Sequence, residues 1–202
     1  MSLKTSYRFI APFYDAFIAG ATAHARQHSL ARLPQQGMQR VLLCGAGTGL
    51  DFPYLPACHT YTALDVTRAM LRRASQKSRG LQVEWVLGDA MVLPFAARSF
   101  DCVVLHLILA VVPQPGLCLA EVARVLKPGG RVLLFDKFLR RGSRAWLRRG
   151  LSPFVESLAT RLDVVFEDIV EAVPELNVVS DEAALARGWF RLIELKKENE
   201  IV

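Results

Sequence analysis

The chain is poor in cysteine, with four in 202 residues and no C-x-x-C pair, and it has no apolar run of membrane-spanning length. It also lacks a basic-then-apolar start, an internal repeat and a low-complexity linker. Each absence excludes something. Cys44, Cys58, Cys102 and Cys118 are scattered, which argues against a zinc ribbon or a disulfide framework and for ordinary thiols in a reducing compartment. The greasiest stretch, Val103 to Val112, is ten residues long and contains His106, about half the length that crosses a bilayer. Without a secretion signal, the expected location is cytoplasmic. His24 and His28 stand four apart but have no third ligand near them in sequence, so no metal is expected.

About half of the residues, 52%, are hydrophobic, enough for one well-buried domain in a chain of this length. Short apolar segments alternate with helical patterns. Strands are expected at Arg40 to Cys44, Thr60 to Leu64, Gln82 to Val86, Phe100 to Leu105 and Arg131 to Phe135. Each is nearly continuous in hydrophobicity, as strands covered on both faces are. Helices are expected at Arg68 to Ser78 and Leu117 to Leu126, with a short one near Leu50 broken by Pro53 and Pro56. A Pro-containing loop, Ala90 to Ser99, joins the third and fourth strands. At the N-terminus Ile10, Phe13, Tyr14, Phe17 and Ile18 share one helical face. A mostly helical stretch from Ser143 to about Ala172 leads to two closely spaced strand candidates, Asn177 to Ser180 and Trp189 to Lys196, which suit an antiparallel hairpin. The pattern predicts an α/β fold with a mostly parallel sheet and right-handed crossovers.

An open parallel sheet binds its ligand at the carboxyl ends of its strands. The first strand ends in Gly45-Ala46-Gly47-Thr48-Gly49, where a tight turn and close backbone approach need residues without Cβ. Asp65 stands twenty residues beyond Gly45 at the end of the second strand, the place from which a carboxylate accepts hydrogen bonds from ribose hydroxyls. Asp89 and Ala90 follow the third strand, His106 the fourth, and Asp136 with Lys137 the fifth. Loop and acids together point to a nucleoside-containing cofactor.

These residues, with Leu64-Asp65-Val66-Thr67-Arg68-Ala69-Met70-Leu71, Gly88-Asp89-Ala90 before Leu93-Pro94-Phe95, Phe100-Asp101 and Leu126-Lys127-Pro128-Gly129-Gly130, resemble the class I methyltransferases that use S-adenosyl-L-methionine and release S-adenosyl-L-homocysteine. The quinone-biosynthesis and phospholipid N-methyltransferase groups are the nearest in character. The resemblance runs from about residue 40 to residue 136. It implies a Rossmann-like three-layer sandwich with a seven-stranded sheet whose last strand is antiparallel. The corresponding divisions are an N-terminal helical cap (1–36), a cofactor-binding core (37–136), a substrate-covering helical segment (137–175) and a C-terminal hairpin (176–202).

By resemblance, Gly45, Ala46, Gly47 and Gly49 approach the aminocarboxypropyl part of the cofactor, Asp65 holds the ribose, Val66 flanks the adenine, and Asp89 with Ala90 reads the adenine edge. His106 and Leu107 lie near the methionine portion. Tyr14 matches a Tyr-Asp pair on a helix that closes over the cofactor, against the simpler reading that it belongs to the apolar stripe. The family commonly carries an acid two places before the first glycine. Leu43 stands there instead, so the cofactor's ammonium loses a support or finds another.

His106 is the candidate general base, weighed against a core histidine bonded within the fold. Between Lys137 and Val155 lie six basic residues and no acid. Lys137, Arg141, Arg144, Trp146 and Arg148 are therefore candidate substrate contacts, suited to a phosphate-bearing lipid or to peripheral contact with an anionic membrane. Solvated surface charge is the plainer reading, as is neutralisation by the acids between Glu156 and Glu175. The expected function is methyl transfer to a small hydrophobic or amphipathic acceptor, quinone-like or lipid, with phosphatidylethanolamine-type N-methylation as the alternative. RNA or protein methylation and a non-catalytic cofactor-binding module are the competing classes. The net charge of +6 suits nucleic acid, but no Asn-Pro-Pro-Tyr motif follows the fourth strand, so nucleic acid is not the expected partner.

Overall fold

A computed structural model describes residues 19–139 and 164–199 of the chain. The strands are β1 (Arg40–Cys44), β2 (Thr60–Asp65), β3 (Gln82–Leu87), β4 (Phe100–His106), β5 (Leu126–Lys137), β6 (Leu176–Leu185) and β7 (Phe190–Lys197). The helices are α1, described over 19–30, α2 (Arg68–Ser75), α3 (Pro115–Val125) and α4 (Phe166–Glu171). The strands form one seven-stranded sheet in the order β3-β2-β1-β4-β5-β7-β6. The first five pair in parallel, and β7 runs antiparallel to both β5 and β6.

Side chains of alternate parity along each strand enter opposite layers, as the pleat requires. Leu42, Cys44, Val103, Leu105, Val132 and Leu134 pack on one face against Cys118, Leu119 and Val122 of α3 and Phe166 and Ile169 of α4. Val41, Leu43, Val104 and Leu133 pack on the other against Leu30 of α1, Leu33 just past its end, and Ala74 of α2. Burial on both faces explains why the central strands lack polar alternation. The mixed sheet between two helical layers is the Rossmann-like methyltransferase architecture that the motifs imply.

Several elements differ from their expected extents, among them α2, which ends at Ser75 rather than Ser78. The apolar stretch near Leu50 forms only a 3-10 turn, Phe52–Tyr54, because Pro53 and Pro56 prevent a longer helix. Extended backbone in β5 begins at Leu126, five residues before Arg131, since Leu126 already pairs with Phe100 before the register shifts. On the edge, β6 continues to Leu185 through two register irregularities opposite β7. The proposed N-terminal stripe from Ile10 to Ile18, including Tyr14, lies outside the described residues. So does most of the expected helical stretch from Ser143.

The sheet order reverses between β1 and β4. Chain direction carries β2 and β3 to one side of β1 and sends β4 and β5 to the other, which opens a crevice at the carboxyl ends of the two central strands. The glycine turn after β1 and the residues that follow β4 meet at that crevice.

Candidate active site

The turn after β1 is held by its own main chain. The N–H groups of Gly45 and Ala46 both donate to the Leu64 carbonyl, at 2.9 Å each, and Gly49 N–H donates to the Ala46 carbonyl at 3.0 Å. Gly47 N–H donates to Asp65 Oδ2 at 2.9 Å. Four of the five amides are thus engaged internally. A phosphate cradle needs such N–H groups free and convergent, so this loop suits a ligand that approaches the backbone without a phosphate.

The three glycines serve different ends. A Cβ on Gly45 would lie 2.4 Å from Cδ1 of Ile108, and one on Gly49 would lie 2.8 Å from Cα of Ala74 in α2. Gly49 is required by packing against the α2 backbone, and Gly45 by its φ of +77° together with the crowding from Ile108. At Gly47, φ is +53° and the nearest atom to a built Cβ is the Gly45 carbonyl oxygen at 4.0 Å. The missing side chain there leaves open space, which is what a bound molecule in close approach requires.

Asp65 ends β2 beside that space. Its Oδ1 accepts from Thr67 N–H at 2.8 Å, so both oxygens hold main-chain donors while keeping further acceptor capacity. Burial raises its pKa above the ordinary carboxylate value, against the opposing effect of the two amide donors. Val66 next to it is 73% exposed and Val92 is 72% exposed, an apolar rim of the kind that a flat ring covers. Asp89 is exposed, with Oδ1 accepting from Met91 N–H at 2.8 Å, and Ala90 is buried beside it. A carboxylate for vicinal hydroxyls, an apolar rim and a second carboxylate at the strand ends match the parts of an adenosine.

A family model described as "Methyltransferase domain" matches residues 42–134. The phosphatidylethanolamine N-methyltransferase of Cereibacter sphaeroides is 31% identical over 189 residues, covering 91% of this chain and 92% of that protein. The chain belongs to the methyltransferase family. As a methyltransferase of this fold it uses S-adenosyl-L-methionine, and the residues at the crevice fit that molecule's adenosine part. The demethylmenaquinone methyltransferase of Renibacterium salmoninarum is 37% identical over 132 residues, 63% of this chain and 55% of that protein, so this methyltransferase spans only about half of that relative. Among solved structures, a putative methyltransferase from Bacillus halodurans superposes with a TM-score of 0.70 at 19% identity, covering 87% of this chain and 98% of that one. That likeness concerns the fold.

The candidate base at the end of β4 sits in a buried hydrogen-bonded group. The His106 ring is 1% exposed. Its Nδ1 lies 2.7 Å from Asp51 Oδ1 and its Nε2 lies 2.9 Å from Ser29 Oγ. The ionised carboxylate only accepts, so Nδ1 carries a proton and donates, and Nε2 is turned to the serine. In the neutral ring this leaves the Nε2 lone pair to accept from the Ser29 hydroxyl. Burial opposes the charge on Asp51, but His106 and Arg26 outweigh it and hold the carboxyl well below its usual range. Arg26 reaches the same Oδ1 from α1 at 2.7 Å.

The next residue, Leu107, has φ of +59°, a left-handed conformation that a branched side chain rarely adopts. Its N–H is pinned to the Phe135 carbonyl at 2.7 Å. Its side chain packs against the cluster of Ala25, Phe135 and Leu192. The loop beyond is held by Asp136 at the end of β5, whose Oδ2 accepts from Ala110 N–H at 3.1 Å and whose Oδ1 accepts from Lys137 N–H at 2.8 Å. Asp136 is buried, and burial raises its pKa to about 6. Lys137 is half-buried, and burial lowers its pKa below the ordinary amine value against the pull of Asp136.

Of the other proposed substrate contacts, Arg141, Arg144, Trp146 and Arg148 lie outside the described residues. Sequence reasoning passed over Arg26, Ser29 and Asp51. The available signal was Asp51 itself, an acid two places past a glycine loop that lacks the usual acid before it. Among the described residues, no helix is long and apolar enough to cross a membrane, and no group of three metal-ligating side chains occurs.

Proposed function

We propose that this methyltransferase modifies the amine of a phosphatidylethanolamine-type lipid. The observation that carries the reading is the span of likeness. Identity to the phosphatidylethanolamine N-methyltransferase extends over 91% of the chain, whereas identity to the demethylmenaquinone methyltransferase extends over 63%. Substrate choice in this fold lies outside the cofactor core, so similarity that continues past the core bears on the acceptor. A quinone-like ring is the second reading, favoured by the 38% identity over 111 residues to a ubiquinone/menaquinone C-methyltransferase of Roseobacter denitrificans.

S-adenosylmethionine brings a methyl group already activated on a positively charged sulfur. The chain's own task is therefore to bind, align and exclude water, and positioning of that kind supplies up to about 7–11 kcal/mol of barrier reduction. Gly47 and Asp65 fix the adenosine side. The loop from Leu107 to Val112, held by Asp136, forms the wall on the acceptor side, with the exposed Val111 as an apolar contact. Lys137 stands at the carboxyl end of β5 as the contact for a lipid phosphate, and the basic and aromatic composition that follows it in sequence, Arg141, Arg144, Trp146 and Arg148, suits such a headgroup. With His106 committed to Asp51 and Ser29, the acceptor amine gives its proton to solvent before it enters.

The test is transfer of a labelled methyl group to mixed vesicles. Label in the lipid fraction with phosphatidylethanolamine present, and none with phosphatidylcholine alone, supports the reading. Label on a demethylated quinone and none on lipid would overturn it in favour of the ring acceptor.

A further inference from the structure

A buried polar chain joins α1 to the cofactor loop. Arg26 donates from Nε to Thr22 Oγ1 at 3.0 Å and from Nη1 to Asp51 Oδ1 at 2.7 Å. That same Oδ1 takes the His106 Nδ1 contact, also at 2.7 Å. The Arg26 and Asp51 side chains are 7% and 9% exposed. Yet among the described residues nothing bonds Nη2 of Arg26 or Oδ2 of Asp51, and neither atom is sealed from solvent. Both atoms reach solvent, so water satisfies them in the free protein and a bound charged group can take the water's place. Here a cation and an anion, each more than nine-tenths buried, both keep one polar atom open at the exit of the glycine turn.

The position of the usual acid explains why such a pair is needed. Leu43 is 2% exposed and lies in the apolar cluster with Leu30, Phe52 and Leu133, so no carboxylate is available before the loop. Asp51 stands two residues after Gly49, and the loop between is closed by the Gly49 to Ala46 hydrogen bond. S-adenosylmethionine carries an ammonium and a carboxylate on one carbon, a pair opposite in sense to an aspartate beside an arginine. We propose that Arg26 and Asp51 hold the amino-acid end of the cofactor, Arg26 Nη2 donating to its carboxylate and Asp51 Oδ2 accepting from its ammonium. The subsite thus combines a residue of the N-terminal helix with one that follows the glycine turn.

The inference rests on the cofactor assignment, and the experiment separates the two. Three ligands are titrated by calorimetry: S-adenosylhomocysteine, with both charges, its decarboxylated analogue S-adenosyl-3-thiopropylamine, with the ammonium alone, and 5′-methylthioadenosine, with neither. Charge-assisted hydrogen bonds of this kind correspond to about 10- to 100-fold in affinity each. Arg26→Gln should weaken S-adenosylhomocysteine by about that factor and leave the two carboxylate-free ligands unchanged. Asp51→Asn should weaken both amine-bearing ligands and leave methylthioadenosine unchanged. Equal weakening of all three by either variant would mean that the pair only shapes the loop, and would overturn the proposal. Should both variants unfold, the unaltered protein decides. Methylthioadenosine binding as tightly as S-adenosylhomocysteine overturns the subsite, and a loss of about tenfold or more at each removed charge supports it. Failure of all three ligands to bind the unaltered protein would instead overturn the cofactor assignment and the subsite with it.

Discussion

Gly47→Ala and Gly49→Ala remove the same hydrogen from the same turn, yet they should fail in different ways. Both residues have positive φ, +53° and +76°, and an alanine in that region costs about 1–2 kcal/mol in backbone conformation alone. At Gly49 the new methyl would also sit 2.8 Å from Cα of Ala74 and 2.8 Å from Cδ2 of Phe52. The first of these is the backbone of α2, which moves only if the helix moves, and forced overpacking adds about 1–3 kcal/mol. Gly49→Ala should therefore lose roughly 2–5 kcal/mol, or about 4–20 °C in unfolding midpoint at roughly 2–4 °C per kcal/mol for a chain of this size. Gly47→Ala meets nothing closer than 4.0 Å, so its stability loss should stay near the backbone cost. Its methyl instead fills the space beside Asp65, and S-adenosylhomocysteine affinity should fall at least about tenfold. Urea unfolding without ligand and calorimetric titration of each folded variant measure the two effects. Equal stability losses, together with unaltered affinity in Gly47→Ala, would refute the division of the motif into packing and binding glycines.

Two further outcomes concern the rest of the fold. The Asp136 pKa of about 6 lies above the ordinary 3.8, so the native state holds this proton more readily than the unfolded chain. Its contribution is greatest below about pH 4 and is lost as pH rises to about 6, roughly 3 kcal/mol in all. Asp136→Asn should flatten that part of the stability profile in urea titrations between pH 4 and 7, and an unchanged slope would remove Asp136 as its source. Arg191 is buried between Asp181, which it grips through two nitrogens, and Glu167 at the start of α4 at 2.9 Å, with its guanidinium over the Phe166 ring. Arg191→Met should cost about 2–4 kcal/mol by leaving two partly buried carboxylates unpaired, and a loss under about 1 kcal/mol would show the cluster to be solvated.

The sequence made the sheet legible because central strands covered on both faces must be apolar throughout. The expected start of each of β1 to β4 coincides with the observed one. Where pairing alone fixes an extent, composition says less. Leu126 pairs with Phe100 five residues before the next β4 partner, Arg131, and β6 runs past Ser180 because β7 supplies its partners. The placement of Asp65, Asp89 and the glycine turn at the carboxyl edge of the sheet was readable because it follows from the strand pattern. The partners of His106 were not readable, because only the fold brings Ser29 from α1 and Asp51 from the loop onto its two nitrogens. Arg26 gave no signal because its partner is 25 residues away.

The central claim is that the crevice holds S-adenosylmethionine through Asp65. Calorimetric titration of ligand-free protein with S-adenosylmethionine and S-adenosylhomocysteine, repeated with Asp65→Ala, tests it most directly. The account predicts micromolar binding of both ligands to the unaltered protein and at least a tenfold loss in the variant, since a carboxylate that bonds two hydroxyls is removed. Folded, ligand-free protein that binds neither compound, or a variant that binds as well as the original, would contradict it.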